Sequence, residues 1–393
     1  YIFNETTCNS NESSFEVIIN NNDYFIPKYF TPNNDGANDV WQVYDRLNLI
    51  NNISIYNRHG KLLKFLPNNT SAWDGTFNGA KMPTTDYWFL AKIKKLKLVI
   101  VGKHGGSERH DKLNASLHRT KLLSIRIKKF SPDITISFCS PEAARVSYGL
   151  NIDHICFSDS PHANAVMRLV IPLVQKLLIP WIIPKKEFVK FGINIKNIIH
   201  YRAIDAAIIT KRKISKNSKN PVKESKRKVI LVRVEEEYAS YSSKKRPAMP
   251  IIKEIIKNFY DEEIVVMARY TSQARHLEQT FGKKIRVLNK VIDSKILLEN
   301  TDVFVGSGGT MTAESALLGI PTISYDAVPN IIEAYLVRKK LVIRKTNPKQ
   351  IVISIRKIFG SKNLEIKKKS KKMIDSMEDP YPILVKTMKS MLK

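Results

Sequence analysis

The sequence predicts an α/β protein with two Rossmann-like lobes, the first of them incomplete, preceded by a small all-β sandwich. Short β-prone runs separated by Asn, Asp, Gly and Pro fill residues 1–95. From Leu98 onward, apolar β-branched runs of four to seven residues alternate with helical stretches, which is typical of βα units on a parallel sheet. The positive charge is concentrated after the same point, since the chain carries net +29 and residues 1–97 contribute only +1.

This texture divides the chain into four segments. We expect a β-sandwich over 1–95, an N-terminal Rossmann-like lobe over 98–210, a linker over 211–228 and a C-terminal Rossmann-like lobe over 229–393. The linker is rich in Lys, Ser and Asn and almost free of apolar residues, which indicates a solvated connection and not a nucleic-acid tail. The predicted strands of the two lobes are 98–101, 134–138, 154–157, 229–232, 264–268, 303–305 and 322–325.

Composition excludes several classes of protein. Cys8, Cys139 and Cys156 cannot make a disulfide framework, and they lack the close pairing of a zinc site. The longest apolar stretch, 166–183, contains charged residues and prolines, so we expect no membrane span. The chain begins at Tyr1 without a leader, which predicts a fragment or a processed product. The excess positive charge suits phosphorylated ligands, anionic lipid or nucleic acid, and the last of these is the weaker hypothesis.

Three motifs stand out in the β part: IPKYFTPNNDGAND (26–39), NISIYNRHGKLL (52–63) and SAWDGTFNGAKMPTTDYWF (71–89). Together they resemble the gliding-motility-associated, type B C-terminal sorting domain of the type IX secretion system. The resemblance implies an immunoglobulin-like sandwich that directs export and surface attachment. It therefore implies a secreted or cell-surface location for this part of the chain.

One turn of the β part is rich in oxygen-bearing side chains. Asn33, Asp35, Asn38 and Asp39 surround Gly36 at a spacing that partly matches a calcium loop. The alternative, which we favour, is an Asx-capped β-turn with Gly36 at positive φ. A second turn, 73–75, places an indole that we expect in the core of the sandwich.

The α/β part carries one phosphate-type signal, VFVGSGGTMTAESALLGIPTISY (303–325). A strand leads into a glycine-rich turn, and a helix begins near Thr310, so free backbone amides and the positive end of a helix dipole meet at one place. Glu314 follows one turn into that helix, where its carboxylate suits the two hydroxyls of a ribose. The alternative is that the glycine turn only connects the strand to the helix and binds no ligand.

This segment occurs together with SFCSPEAARVSYGL (137–150), FSDSPHANAVMRL (157–169) and GKHGG (102–106). Residues 98–375 resemble an uncharacterised archaeal and bacterial family of glycosyltransferase-B-like proteins. They are similar more distantly to sugar-nucleotide 2-epimerases and to the transferase that adds N-acetylglucosamine to lipid-linked muramyl peptide. The resemblance implies that the nucleotide diphosphate and ribose are held by Ser307, Gly308, Gly309, Thr310 and Glu314.

The resemblance implies a nucleotide sugar as the small-molecule partner, an unidentified acceptor and a cytoplasmic location for the α/β part. We expect no metal and no further cofactor. The predicted function is a sugar-nucleotide-dependent glycosyl transferase, or a remnant of one, fused to a secretion-type β domain. The alternatives are a 2-epimerase-like enzyme and a non-enzymatic surface, adhesion or chimeric protein. The sequence leaves the oligomeric state open.

The N-terminal lobe supplies the candidate catalytic groups. His162 lies in Asp-Ser-Pro-His directly after a predicted strand, at the carboxyl end of a parallel sheet where ligands bind. Its imidazole titrates near neutrality and suits a general base, with Asp159 orienting it. The alternative is a helix N-cap with a histidine packed beside it. His104 beside two glycines is a second candidate, whose alternative is a surface turn.

Other polar residues follow the predicted strands. Arg233 and Arg269 follow two strands of the second lobe, where they suit phosphate charge. The remaining cleft candidates there are Glu235, Tyr238 and Tyr270. The alternative is a surface ion pair with edge aromatics. Ser140, Pro141 and Glu142 have the pattern of a helix N-terminus, which capping alone explains.

The resemblances to the two families meet near residues 93–98. A glycosyltransferase-B-like protein opens with two strands and two helices that do not precede Leu98 here. We therefore expect the sheet of the first lobe to lack strands and to expose an edge. A fusion or recombination of two genes would produce two family matches that are both cut at this junction.

Overall fold

The computed structural model gives two compact units, which divide between Ile100 and Val101. It describes residues 24–25, 27, 30–45, 50–57, 59–67, 72–83, 85, 87–93, 100–103, 105–106, 108–212, 227–237, 247–288, 292–326, 328–361 and 363–392. The predicted strand 98–101 lies largely outside these residues, and its last two residues are not in a strand.

The first unit is built from short antiparallel strands. They are β1 (Tyr24–Phe25), β2 (Tyr44–Asp45), β3 (Ile50–Asn57), β4 (Leu62–Leu66), β5 (Thr76–Phe77), β6 (Ala80–Lys81) and β7 (Tyr87–Ile93). The central sheet has the order β4-β3-β7, and β1 with β2 and β5 with β6 form separate pairs. Ile53 and Ile55 alternate with more exposed residues along β3, so one face of the sheet is buried.

Trp73 lies in the core of this unit, as the sequence predicted. Its side chain is 1% exposed, and its Nε1 donates to the Thr76 carbonyl at 2.8 Å, so the buried indole has an acceptor. The turn at 33–39 is an Asx turn. Asp39 Oδ1 accepts the Asn34 amide at 2.6 Å, Asp39 Oδ2 accepts the Gly36 amide at 2.8 Å, and Gly36 has φ +85°. The carboxylate of Asp39 is thus already bonded to the backbone.

The second unit contains two parallel sheets. The first has four strands, β8 (Ile134–Phe138), β9 (Asp153–Phe157), β10 (Lys176–Pro180) and β11 (Ile198–Tyr201), in the order β11-β10-β9-β8. The second has six, β12 (Val229–Arg233), β13 (Glu263–Met267), β14 (Arg286–Leu288), β15 (Val303–Gly306), β16 (Thr322–Ser324) and β17 (Val342–Arg344), in the order β14-β13-β12-β15-β16-β17. From β12 the chain adds β13 and β14 on one side of the sheet, and from β15 it adds β16 and β17 on the other side. The direction of winding therefore reverses between β12 and β15, and doubly wound sheets bind ligands in the crevice at such a reversal.

The helices of this unit cover the sheets. They are α1 (Arg109–Phe130), α2 (Pro141–Gly149), α3 (Asn164–Val170), α4 (Lys186–Val189), α5 (Ala206–Lys211), α6 (Ala248–Asn258), α7 (Thr271–Phe281), α8 (Ser294–Glu299), α9 (Thr310–Leu317), α10 (Ile331–Arg338), α11 (Pro348–Phe359), α12 (Leu364–Asp375) and α13 (Tyr381–Met391). No described helix is both long enough and apolar enough to cross a bilayer.

The six-stranded sheet is buried on both faces, which explains its continuous apolar runs. Ile230 and Val232 pack with α6 and α11, whereas Val229 and Leu231 pack with α8 on the opposite face. Alternate side chains of one strand therefore enter different cores.

The two lobes share a third core. Tyr201 and Ala203 of the first lobe pack in one buried cluster with Ala316 and Leu336 of the second. The chain also returns to the first lobe between α12 and α13, where the Glu378 amide donates to the Arg202 carbonyl at 3.1 Å. These contacts hold the carboxyl ends of the two sheets beside each other. Among the described residues, β8 is an edge strand of the first lobe's sheet, and the predicted lack of strands beyond it stays a prediction.

Candidate functional site

A cleft of about 160 Å³ lies in the second unit between the carboxyl ends of its two sheets. We call it the interlobe cleft. It is lined by Asp159, Ser160, His162, Ile204, Asp205, Ala206, Arg269, Gly308, Gly309, Thr310, Thr312, Ala313, Val328, Asn330, Ile332, Glu333 and Leu336. The predicted residues Asp159, His162, Arg269, Gly308, Gly309 and Thr310 thus line one cleft.

The glycine turn after β15 is held in place by its own hydrogen bonds. The Gly308 amide donates to Thr312 Oγ1 at 3.2 Å, and Asn330 Nδ2 donates to the Gly308 carbonyl at 2.6 Å. The Val328 amide donates to the carbonyl of Ser307, whose residue is buried. Gly308 has φ +97°, a conformation that side chains disfavour. The turn is therefore fixed before any ligand arrives.

The N-terminus of α9 opens on the interlobe cleft. Gly309 is its N-cap residue and supplies no side-chain cap, and the first amides of a helix have no acceptor within the helix. Arg269, which follows β13, has Nη2 3.8 Å from the position of an ideal Cβ on Gly309. Its Nη1 lies 3.7 Å from Glu236 Oε2. A guanidinium and a helix N-terminus thus favour negative charge at the same place.

Glu314 lies one turn into α9 and does not line the interlobe cleft. It is 5% exposed, and its Oε2 has no hydrogen-bond donor among the described residues. Burial raises the pKa of its carboxyl, and a hydrogen bond with Ser294 opposes that effect. Glu314 is therefore a buried carboxyl with spare acceptor capacity.

Arg233 also lies beside the cleft and not on its lining. Its Nη1 donates to the Ala268 carbonyl at 2.9 Å, which ties the end of β12 to the segment after β13. Burial, together with the nearby Arg269, lowers the pKa of Arg233 to about 10.

Glu235 does not lie in the interlobe cleft, where the sequence analysis expected it. It is buried and accepts hydrogen bonds from the Tyr325 hydroxyl at 3.0 Å and the Ala248 amide at 3.3 Å. Its carboxylate thereby ties the start of α6 to the segment after β16. Tyr270 does not line the cleft either, and its hydroxyl donates to Glu236 Oε1. His104 and Tyr238, the remaining candidates, lie outside the described residues.

Asp159 and His162 follow β9, and both line the cleft. Ser160 Oγ donates to Asp159 Oδ1 at 2.6 Å. Burial lowers the pKa of His162, and the charge of Asp159 opposes that effect. Helix α3 begins at Asn164 with Ala163 as its N-cap and has no side-chain cap, so Asp159 and Ser160 do not cap it.

Two acidic residues of the cleft, Asp205 and Glu333, were missed by the sequence analysis. Asp205 follows β11, a strand that was not predicted, and it accepts a hydrogen bond from the Tyr201 hydroxyl. Glu333 lies in α10, where Arg344 Nε donates to its Oε1 at 3.1 Å. Asn330 caps α10 three residues before Glu333, a spacing typical of helix starts, so the sequence did carry a signal for the helix. It carried none for the cleft.

Ser140, Pro141 and Glu142 form a helix N-terminus, as the capping interpretation predicted. Ser140 Oγ accepts the Ala143 amide at 3.2 Å, and Pro141 occupies the first turn of α2. Glu142 pairs instead with α1, where Arg119 Nε donates to it at 3.0 Å. Among the described residues, no group of three or more His, Cys, Asp or Glu side chains is arranged to hold a metal ion.

Comparison with known families gives two matches along the chain. The family described as "Protein of unknown function (DUF354)" matches residues 84–393, and the CHU_C type IX secretion signal domain matches residues 24–102. Both resemblances drawn from the sequence are thereby confirmed. The uncharacterized protein MJ0665 of Methanocaldococcus jannaschii is 30% identical over 278 residues, which cover 67% of this chain and 77% of that protein.

Solved structures with a similar fold include two that contain uridine nucleotides. UDP-GlcNAc 2-epimerase from Neisseria meningitidis bound to UDP-GlcNAc has a TM-score of 0.53 at 15% identity, covering 71% of this chain and 82% of the epimerase. The MnaA–UDP co-structure from S. aureus has a TM-score of 0.55 at 11% identity, covering 68% and 78%. At such identities the likeness shows the fold alone, which is glycosyltransferase-B-like.

Proposed function

Because the chain belongs to the DUF354 family and has a glycosyltransferase-B-like fold, we propose that its α/β unit binds a sugar nucleotide and transfers the sugar to an acceptor hydroxyl. One observation carries the proposal. The uncapped N-terminus of α9 and the Arg269 guanidinium meet in one cleft, opposite Asp159 and His162.

The diphosphate is the group that this corner of the cleft suits. The backbone around Gly308, Gly309 and Thr310 presents no large side chain, so phosphate oxygens can reach the amides at the start of α9. Arg269 adds a fixed positive charge with planar donors. Negative charge accumulates on the diphosphate as it leaves the sugar, so the same groups stabilise the transition state.

Glu314 suits the ribose. One of its carboxylate oxygens is buried without a donor, and an unpaired buried acceptor is unfavourable. A ribose hydroxyl supplies such a donor. The neighbours UDP-GlcNAc 2-epimerase and MnaA were solved with UDP-GlcNAc and UDP, which makes uridine nucleotides the first ligands to test.

The first lobe suits the acceptor side of the reaction. His162 and Asp159 line the cleft across from α9. Either side chain can take the proton of an acceptor hydroxyl as its oxygen bonds to the anomeric carbon. The bond from that carbon to the diphosphate breaks in the same step, and its electron pair stays on the diphosphate.

Thermal denaturation with UDP tests the binding step. At a hundredfold excess over Kd, ligand binding stabilises a protein by about 2.7 kcal/mol, which raises Tm by several degrees. Glu314→Ala is expected to remove most of this rise, and Glu278→Ala, an exposed glutamate on α7, to retain it. No shift in the unmodified protein contradicts the proposal.

Epimerisation of a sugar nucleotide is the second candidate function. It requires that a proton be removed from a sugar carbon and returned on the other face, and the cleft holds two carboxyl groups from the first lobe, Asp159 and Asp205. Incubation with UDP-N-acetylglucosamine without an acceptor separates the two reactions. A new sugar in the product supports epimerisation, whereas binding without a new sugar supports transfer.

For the first unit, we infer a role in export or surface attachment from its match to the type IX secretion signal domain. Fractionation of cells that express the whole chain tests this role. The chain is expected on the cell surface or in the medium when a type IX system is present. Its retention in the cytosol of such cells contradicts the role.

A further inference from the structure

Two acidic side chains of the first lobe meet in the interlobe cleft. Asp159 follows β9 and Asp205 follows β11, so the fold brings together residues from separate strands. Their carboxyl groups lie within hydrogen-bonding reach of each other. The Tyr201 hydroxyl donates to Asp205 Oδ1, and Ser160 Oγ donates to Asp159 Oδ1 at 2.6 Å.

The surroundings of Asp205 do not suit a second negative charge. Its Oδ2 is buried and has no hydrogen-bond donor among the described residues. Two ionised carboxylates repel each other, and neither can donate a hydrogen bond to the other because both are acceptors only. One proton between them converts the contact into a hydrogen bond and removes one charge from a buried site.

We infer that Asp159 and Asp205 form an acid–base pair that holds one proton at neutral pH, with Asp205 as the proton carrier and Asp159 as the ionised base toward the substrate. The chemical role of the pair rests on the proposed function, but the shared proton does not. Burial, and then the charge of Asp159, raise the pKa of Asp205 to about 7, which supports the assignment.

The pair can accept the proton that the acceptor hydroxyl releases during sugar transfer. Before reaction it holds one proton, on Asp205, and carries one negative charge, on Asp159. The acceptor hydroxyl gives its proton to Asp159 while its oxygen forms the new bond to the anomeric carbon and the diphosphate leaves with the bonding electrons. The pair then holds two protons, and one returns to water. Asp205 acts through Asp159 and is therefore a positioning residue.

Several other groups share this environment. The titratable and charged side chains that line the cleft with the pair are His162, Arg269 and Glu333. Tyr201 adds its hydroxyl from β11, the strand that precedes Asp205. A test must therefore compare variants at Asp205 and not rely on the pH dependence of the unmodified protein alone.

The pH dependence of stability tests the shared proton without a substrate. A carboxyl whose pKa is raised by folding binds more protons in the native state, so its contribution to stability is present at low pH and is lost as pH rises through its folded pKa. As pH rises from about 4 to about 7, we expect the Tm of the unmodified protein to decrease relative to that of Asp205→Asn. Asp375→Asn, which removes an exposed carboxyl of α12, is expected to follow the unmodified protein. A constant difference in Tm between Asp205→Asn and the unmodified protein over this range overturns the inference.

Infrared spectroscopy gives a second measurement, and its first reading needs only the unmodified protein. That protein is expected to show the C=O stretch of a protonated carboxyl at slightly acidic pH, and this band is expected to be lost as pH rises through the folded pKa of Asp205, about 7. Tyr201→Phe removes the hydroxyl that stabilises ionised Asp205, so its band is expected to persist to higher pH. An unmodified protein without the band at slightly acidic pH contradicts the inference. Failure of UDP to bind contradicts the proposed function instead, and the two failures are distinguishable.

Discussion

The carboxylate of Glu333 occupies the space that a side chain at position 308 would need. A Cβ on Gly308 would overlap Glu333 Oε2 and would also lie 3.1 Å from the Val328 carbonyl. Glu333 is 2% exposed, and Arg344 Nε holds its Oε1 at 3.1 Å, which restrains the carboxylate in this position. The glycine of this turn is thus required by the packing of the protein interior.

Gly308→Ala is expected to destabilise the α/β unit. A residue with a side chain at this positive φ, in contact with a buried carboxylate, costs about 1–3 kcal/mol. Denaturant unfolding measures the change. Gly360→Ala is the matched control, because Gly360 has φ −80° and only ordinary contacts near its Cβ position. Equal stability of the two variants contradicts the steric explanation.

Arg269→Ala is expected to weaken binding of UDP by about ten- to a hundredfold. A charge-assisted hydrogen bond contributes about 1.5–3 kcal/mol, and each 1.4 kcal/mol is a factor of ten in Kd. Isothermal titration calorimetry measures the effect. Arg275→Ala, on the exposed face of α7, is expected to bind UDP as the unmodified protein does. Unchanged affinity in Arg269→Ala removes this residue from the phosphate site.

Glu142→Gln is expected to lower the free energy of unfolding by about 1–3 kcal/mol at neutral pH. Burial acts to raise the pKa of Glu142, but hydrogen bonds from Arg119 and Ser116 outweigh it and lower the pKa below its usual value. The stabilisation is therefore present at neutral pH and is lost as pH falls through the folded pKa.

Glu187→Gln is the control for this pair. Glu187 accepts from Lys190 Nζ at 2.9 Å on the surface, where such a pair contributes about 0–1 kcal/mol. Urea titration of both variants at neutral and acidic pH compares them. If Glu142→Gln shows no loss at neutral pH, α1 is not anchored through this pair.

His154→Gln is expected to reduce the sensitivity of the protein to acid. The imidazole is fully buried between Thr135 Oγ1 at 2.6 Å and Ser137 Oγ at 2.8 Å, and burial lowers its pKa to about 4. A histidine that stays neutral in the fold contributes stability above its unfolded pKa of about 6.5, and this contribution falls by up to about 3 kcal/mol as pH decreases toward 4.

Melting temperatures measured from pH 7 down to pH 4.5 check this expectation. The fall is expected to be smaller in His154→Gln than in the unmodified protein, and His118→Gln, in an exposed position on α1, is expected to follow the unmodified protein. Parallel curves for all three proteins contradict a buried neutral histidine. The sign is opposite to that expected for Asp205, so the two groups can be separated.

Local sequence predicted much of the fold. The strand 134–138 was predicted with the bounds that the structure gives, because β-branched residues between turn signals define a buried strand. The turn from β15 into α9 was also predictable, since glycines followed by a helix-forming run fix the local backbone. β10 and β11 were missed, because Pro172 and Pro180 and the short apolar runs around them gave no clear period.

The sequence by itself determined the two kinds of domain, six of the parallel strands and the loop that presents the amides of α9. These follow from residue types within a few positions of one another. Only the tertiary structure decided that Asp205 meets Asp159, that Glu333 fills the space beside Gly308, and that Glu235 supports α6 instead of the cleft. Each of these contacts joins separate segments of the chain, and the packing of whole sheets and helices, not any local pattern, sets the distance between them.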